Sequence, residues 1–463
     1  MRFFESLVVC SLCVSLVASE AYRAAILANN GISPNRYSSI IYEAGKANVD
    51  VLVLPTPELS EKEDNYDETI KNISKATRQA GVYVVAHLFE KAHCQSKIET
   101  IRSNLVFNRE GAIISVYRKP LNNVANCTTA DPDLVTFATD FGVTFGVLME
   151  EDLILHKTEH LKGLKNFVMT GSVISEIPFL SASQFLPSWS YISDVNLVSS
   201  SGVYSGMISS KKVADMIIAD INTDGESKHP IVPVVGPAKL TGFLGEDLSH
   251  FTIRPLDVEA STHGYQQTVC HNSFCCEFHV KTSITGVKSS DMNYGLAAFD
   301  GVRHYSGSYN IGTQNCAVIA CAGLYKRSCA VGSENNSTNI VFKMISITAN
   351  FTVSNSIQYP VIQSTDAQPV EDFKFITNPG GKFKQVNTKI QGIQNLLAFG
   401  VFGRDFSKDY QTEFALGRND SDGSPSDIYE YVYSEDFQEF FDYVWIRLRV
   451  VIFVVSIYIL EMM

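Results

Sequence analysis

Apolar and polar positions alternate along this chain in two distinct ways. Up to about residue 222, short apolar runs trade places with stretches of helical spacing. Tyr22–Leu27 reads as a first strand, and Pro34–Ala47 as a helix with Ile40, Ile41 and Ala44 on one side. Val51–Leu54 is continuously apolar, the mark of a strand covered on both faces. It runs into Pro55-Thr56-Pro57-Glu58, where the prolines end the strand and hold Glu58 at the sheet rim. Ile70–Ala80 predicts a helix and Val82–His87 a strand. Asn104–Phe107 and Ala112–Tyr117 form a hairpin about Arg109-Glu110-Gly111, continuing into Arg118-Lys119-Pro120. Val135–Ala138 leads to Phe141–Asp152, a buried strand that stops in three acids, Glu150, Glu151 and Asp152. Such alternation predicts α/β packing, with Glu58, Lys119 and Glu150 at strand ends, where α/β proteins place their chemistry.

Beyond a linker over 223–242, marked by Asp224-Gly225-Glu226-Ser227 and by Pro230, Pro233 and Pro237, the pattern changes. Short strands follow without helices: Gly242–Leu244, Gln267–Cys270, Phe278–Thr282, Gly295–Phe299, Ser308–Ile311, Asn339–Ile347 and Val361–Ser364. They predict an all-β sandwich.

Composition narrows the function. Of 463 residues, 45% are hydrophobic and 19% charged, enough apolar surface for two cores. A net charge of −12 and the lack of a Lys/Arg cluster exclude a nucleic-acid partner. The ten histidines show no HExxH-like spacing and no strand runs into a glycine-rich phosphate loop, so no metal or other cofactor is implied.

Both ends bear on location. Residues 1–19 read as a secretory signal: Arg2, the apolar run Leu7–Val17, then Val17-Ala18-Ser19 before cleavage. Cys10 and Cys13 leave with it. Eight of the ten cysteines remain: Cys94, Cys127, Cys270, Cys275, Cys276, Cys316, Cys321 and Cys329. An even number in an exported chain points to disulfides. Adjacent Cys275 and Cys276 cannot face the same way in a strand, so each should bridge to a different element; the connectivity stays open, and a zinc site is the rival reading. Asn72, Asn126, Asn335, Asn336, Asn350 and Asn419 begin glycosylation triplets. Near the C-terminus, Val450–Leu460 follows Arg447 and Arg449 and is short against the about 20 residues of a membrane span. A removed lipid-anchor signal and a buried terminal helix both remain open.

The motifs resemble the nitrilase superfamily of carbon–nitrogen hydrolases, and within it the vanin/biotinidase branch of secreted or lipid-anchored amidases for pantetheine or biotinyl amides. Val53–Glu58 is similar to the strand ending in the family's Pro-Glu. Asn104–Gly111 with Tyr117-Arg118-Lys119 is similar to the hairpin bearing its lysine. Phe141–Asp152 is similar to the nucleophile strand, which usually ends Gly-Ile-Phe-Thr-Cys-Phe-Asp. Pro178–Ala182, Val195–Val198, Thr268–Cys276 and Tyr294–Gly301 extend the likeness over about residues 22–405. The resemblance implies a nitrilase-type α/β/β/α sandwich followed by a disulfide-rich all-β domain. Its limits are 20–222 and 243–443, with a hydrophobic tail at 444–463. It also implies a catalytic site in which Glu58 is the general base, Lys119 stabilises the oxyanion, and the position of the nucleophilic cysteine is occupied by Glu150. In this reading Cys127 pairs with Cys94, and the other six cysteines pair among themselves.

Two departures bear on activity. A carboxylate is a poor nucleophile toward an amide, and no cysteine lies between Cys127 and Cys270. The segment from Glu58 to Ile70, and the join of Ser199-Ser200 to Ser201-Gly202-Val203-Tyr204, are shorter than the branch requires. The expectation is a secreted or surface-anchored homologue with impaired or absent amidase activity. The alternative is a non-catalytic extracellular glycoprotein that binds a small amide or a protein partner, touching membrane only through a lipid anchor. Glu150 should then form an ion pair with Lys119 within about 4 Å, and one of Glu58 and Glu150 should have a raised pKa.

Overall fold

The computed structural model describes residues 21–27, 33–57, 66–94, 97–120, 134–157, 161, 163–171, 176–204, 207–224, 244–245, 247–285, 293–305, 309–321, 329, 339–364 and 373–409. Glu58, Asn126, Asn335, Asn336, Asn419 and Cys127 lie outside this set, as do residues 1–19, most of the linker and the tail.

The first part of the chain runs β1 (Ala21–Leu27), α1 (Tyr37–Lys46), β2 (Val51–Val53), α2 (Tyr66–Ala80), β3 (Tyr83–Cys94), β4 (Lys97–Phe107), β5 (Ile113–Pro120), β6 (Val135–Ala138), β7 (Thr144–Met149), α3 (Asp152–Leu155), β8 (Asn166–Thr170), β9 (Glu176–Ile177), α4 (Ala182–Ser193), β10 (Asn196–Ser199), β11 (Gly202–Tyr204), β12 (Met207–Val213) and β13 (Met216–Asn222). One sheet has the order β12-β13-β1-β2-β3-β4-β5 and a second β11-β10-β8-β7-β6. Their inner faces meet in a core that includes Ile26, Val53, Val85, Val106, Phe145, Val147 and Val168. The alternate residues of the first sheet, among them Leu27, Leu52 and Val84, pack on Ile40, Ile41 and Ile73 of α1 and α2. The outer side of the second sheet, through Phe167 and Leu197, packs on Phe185 and Trp189 of α4. This is the expected α/β/β/α sandwich. Its inner strands are apolar on both faces because both faces are covered.

The second part adds β14 (Leu244–Gly245), β15 (Thr252–Pro255), α5 (Val258–Ser261), β16 (Tyr265–His271), β17 (Phe274–Ile284), β18 (Asn293–Tyr305), β19 (Tyr309–Cys321), β20 (Ile340–Thr352), β21 (Ser356–Ser364), β22 (Phe373–Gly380), β23 (Phe383–Ile390), β24 (Ile393–Gln394) and β25 (Leu396–Asp405). Two sheets form, β15-β18-β19-β25-β21 and β16-β17-β20-β23-β22. Leu296, Ala298 and Val318 face the partner sheet. Their neighbours Ala297, Phe299 and Ala317 face the other way, into the cluster built on α4. The middle sheet of the molecule is therefore buried on both sides.

Several strands are longer than the hydrophobic pattern indicates, and β22, β23 and β25 are missed by it. β25 is interrupted by Gly400, where an added Cβ would lie 1.9 Å from the Cys316 carbonyl oxygen. Close approach of two backbones, not a turn, requires that glycine.

All six cysteines of this part are paired: Cys270–Cys275, Cys276–Cys316 and Cys321–Cys329. Cys275 is exposed and Cys276 buried, so adjacent cysteines face opposite ways and bridge to different elements, as expected. Asn72 and Asn350 are exposed. No described helix is long and apolar enough to cross a membrane.

Candidate functional site

β7 stops at Met149 because Asp152 turns back on it. The Asp152 carboxylate accepts the Met149 backbone N–H at 2.7 Å. The Glu151 carbonyl accepts from the N–H groups of Ile154 and Leu155, which starts α3. Glu150 and Glu151 occupy the turn itself. The three acids thus sit at the C-terminal end of a buried strand.

The first sheet supplies the cations. Arg102 on β4 is directly opposite Lys119 on β5, and Asn104 directly opposite Tyr117. A two-residue spacing along each strand sends all four toward the second sheet. Arg102 forms ion pairs with Glu150 at 2.8 Å and with Glu151, the latter through both terminal nitrogens. Lys119 pairs with Asp152, with Glu151 3.6 Å away. Tyr117 donates its hydroxyl to both Asp152 oxygens, at 3.0 and 2.9 Å.

The expected Glu150–Lys119 pair does not form. Lys119 is engaged by Asp152, two residues further on, and Glu150 is held by an arginine to which the sequence pattern did not point. Lys119 faces the acids at all because of register: a β-bulge between Val106 and Phe107 shifts β4 by one residue against β5. Simple counting from the hairpin turn places Arg118 opposite Arg102; the bulge brings Lys119 there instead.

The electrostatics differ sharply among the acids. Burial and then the neighbouring Glu151 push Glu150 up to about 7, and Arg102 only partly offsets them. The raised pKa expected of Glu58 or Glu150 is thus found at Glu150, with Glu151 as the charged neighbour responsible. Glu150 Oε2 is buried without a hydrogen-bond partner among the described residues. The carboxylate fits only because residue 171 is glycine: at Gly171, with φ +86°, an added Cβ would stand 1.8 Å from that oxygen. At Asp152 burial acts upward as well, but His156 and Lys119 outweigh it and hold the carboxyl down. Burial acts to lower the Lys119 ammonium, and Asp152 and Glu151 reverse that and raise it.

Beside the acids lies a buried polar group, also missed by sequence reasoning. His87 Nδ1 is 2.8 Å from Asn104 Oδ1 and 3.1 Å from Thr170 Oγ1, and Asn104 donates to the Leu148 carbonyl. Burial keeps His87 down at about 4, so the imidazole is neutral at physiological pH. Tyr305, at the end of β18, is close enough for the charges of Glu176, Glu150 and Glu151 to raise its already burial-raised hydroxyl further. The second sandwich therefore reaches the site. Among the described residues no cluster of His, Cys, Asp and Glu could hold a metal ion. Cys94 lies on β3, but its side chain is not among those described, so the Cys94–Cys127 pairing falls outside the described set.

Fold and site together define an α/β/β/α sandwich, fused to a disulfide-bonded β sandwich, with a carboxylate at the end of a buried strand of its second sheet. The model of the Vanin C-terminal domain matches residues 242–409. Vanin-like protein 3 of Drosophila melanogaster is 27% identical over 402 residues, covering 73% of this chain and 74% of that protein. Pantetheinase of Bos taurus is 24% identical over 388 residues, covering 73% and 71%. Biotinidase of Takifugu rubripes is 22% identical over 325 residues, covering 57% and 62%. An amidase from Nesterenkonia sp. aligns at 11% identity with a TM-score of 0.33, over 45% of this chain and 92% of that one. The chain thus carries a Vanin C-terminal domain over residues 242–409 and is similar over about three quarters of its length to vanin-like proteins and pantetheinase.

Proposed function

We propose that this chain is an extracellular, secreted or surface-anchored member of the branch that does not hydrolyse pantetheine or biotinyl amides by the thiol route. One observation carries the reading. At the end of β7 the nucleophile position holds Glu150, tied to Arg102 at 2.8 Å, while the lysine that would stabilise an oxyanion is engaged by Asp152 and Glu151. Loss of the nucleophile alone lowers turnover in a hydrolytic triad by about 10⁶. An oxyanion would have to displace two carboxylates to reach Lys119.

A second reading, non-catalytic binding of a small amide, draws on His87 Nε2 and Glu150 Oε2, buried atoms without a hydrogen-bond partner among the described residues. An amide offers both a donor and an acceptor to such groups, and pairing them recovers part of their desolvation cost.

Purified secreted protein should be assayed with pantetheine and biotinyl amides beside Glu150→Ala. The expected result is no hydrolysis above that of the variant. Turnover that the variant abolishes would overturn the proposal. A thermal shift with the same amides, absent in His87→Ala, would favour the binding reading.

A further inference from the structure

The chain has a net charge of −12, but the β22–β23 hairpin reverses it. Between Phe373 and Ile390 stand Lys374, Lys382, Lys384 and Lys389, with no Asp or Glu among them. Lys374 lies directly opposite Lys389 across the strands. Like charges in that position destabilise a sheet, and none of the four lysines forms an ion pair among the described residues. Lys384 is half-buried, and burial holds its ammonium below the ordinary lysine range.

Apolar side chains are exposed at the turn of this hairpin and beside it: Phe383 at 55% and Val353 at 40%. Val353 belongs to the neighbouring turn between β20 and β21, and its N–H donates to the Lys382 carbonyl at 3.4 Å. The two turns therefore form one tip, with Val353, Lys382 and Phe383 at its end. Ile376 and Lys374 lie along β22, the free edge of its sheet.

A lysine on an edge strand commonly serves to prevent sheet-to-sheet pairing, which accounts for Lys374. It does not account for Phe383 exposed next to Lys382 and Lys384. Cations around exposed apolar groups are the combination that holds a protein at a charged lipid surface. The apolar groups enter the headgroup boundary and the lysines meet its anions. A sulfated polysaccharide would use the lysines and leave Phe383 and Val353 without a role. We propose that this tip docks end-on to an anionic lipid surface. Asn350 is opposite Gln385, nearer the middle of the sheet, so a glycan there would stand behind the tip.

The test is co-sedimentation of the full secreted chain with vesicles of phosphatidylcholine alone and of phosphatidylcholine mixed with phosphatidylserine. Binding is expected to the mixed vesicles only, and to weaken as salt is added. Lys382→Ala and Lys384→Ala should each weaken it about fivefold, and Phe383→Ser about tenfold. The run Val450–Leu460 is the same in parent and variants, so its own membrane affinity cancels in the comparison. Unfolding midpoints equal to that of the parent would establish that these exposed changes leave the fold intact. Equal binding to neutral vesicles, or variants that bind as the parent does, would overturn the proposal. So would retention on a sulfated polysaccharide that the lysine changes abolish and Phe383→Ser does not, with no vesicle binding.

Discussion

The two ends of β18 and β19 meet very different surroundings. Towards the Asn293 and Cys321 end, the second sandwich is held by apolar contacts and by covalent bonds: Leu296 and Val318 are fully buried, Cys276–Cys316 joins the two sheets, and Cys321–Cys329 closes the end of β19. At the Tyr305 end, the strands approach a cluster in which three carboxylates face Arg102 and Lys119. The first region owes its stability to burial and chain connectivity, which depend little on pH. The second depends on charges that must remain paired once water is excluded. A sandwich can keep its fold with either arrangement, but only the second responds to protons.

The strongest way to break the first half of that contrast is to remove a bridge. Cys276→Ser with Cys316→Ser opens a loop with a sequence separation of 40. Chain entropy alone puts the loss at about 4 kcal/mol. Denaturant unfolding should show nearly the same loss at acid and neutral pH. A loss that changed strongly with pH would mean that the two regions are not energetically distinct.

Arg102→Met attacks the second half. It leaves Glu150 and Glu151 buried with one cation fewer and should destabilise by about 3 kcal/mol at neutral pH. The penalty should shrink in acid, where protonation removes the unpaired charge. The same measurement made across pH would show this, and a flat profile would contradict it.

An effect no larger, and of opposite sign, is expected for Glu150→Gln. The folded-state pKa of Glu150 is raised to about 7, so its favourable contribution is complete below the ordinary carboxylate range and is lost as pH rises through about 7. The variant should therefore match the parent in acid and be more stable than it above neutrality, by up to about 3 kcal/mol. Asp152 behaves in the opposite sense. Its depressed pKa adds stability above the ordinary aspartate range, and that stability is lost as pH falls through the folded value. Neighbours in sequence thus pull the pH profile in opposite directions.

These features were legible in the sequence to unequal degrees. The α/β/β/α order could be read because apolar runs such as Val51–Leu54 and Phe145–Met149 report burial on both faces directly. The cysteine pairs could be anticipated as a group because Cys275-Cys276 must point to opposite sides of β17. The strand β22 could not, since Thr377-Asn378-Pro379-Gly380 has the composition of a loop and is exposed throughout. At the site, the strand-end positions of Lys119 and Glu150 were recognisable, but their partners were not. The place of Lys119 depends on a bulge between Val106 and Phe107, and the Arg102–Glu150 contact on a second sheet placed against the first. Neither leaves a local signal. Gly171 and Tyr117 are similar cases: each matters only because of a residue far away in the chain.

The central claim is that the strand-end position holds a carboxylate paired with Arg102 and retaining its proton to near neutrality. Carbon-13 NMR of protein labelled at the glutamate side-chain carboxyl, followed across pH and compared with Glu150→Gln, tests it most directly. One carboxyl should titrate at about 7 and be missing from the variant. A spectrum in which every glutamate titrates in the ordinary carboxylate range would contradict the account.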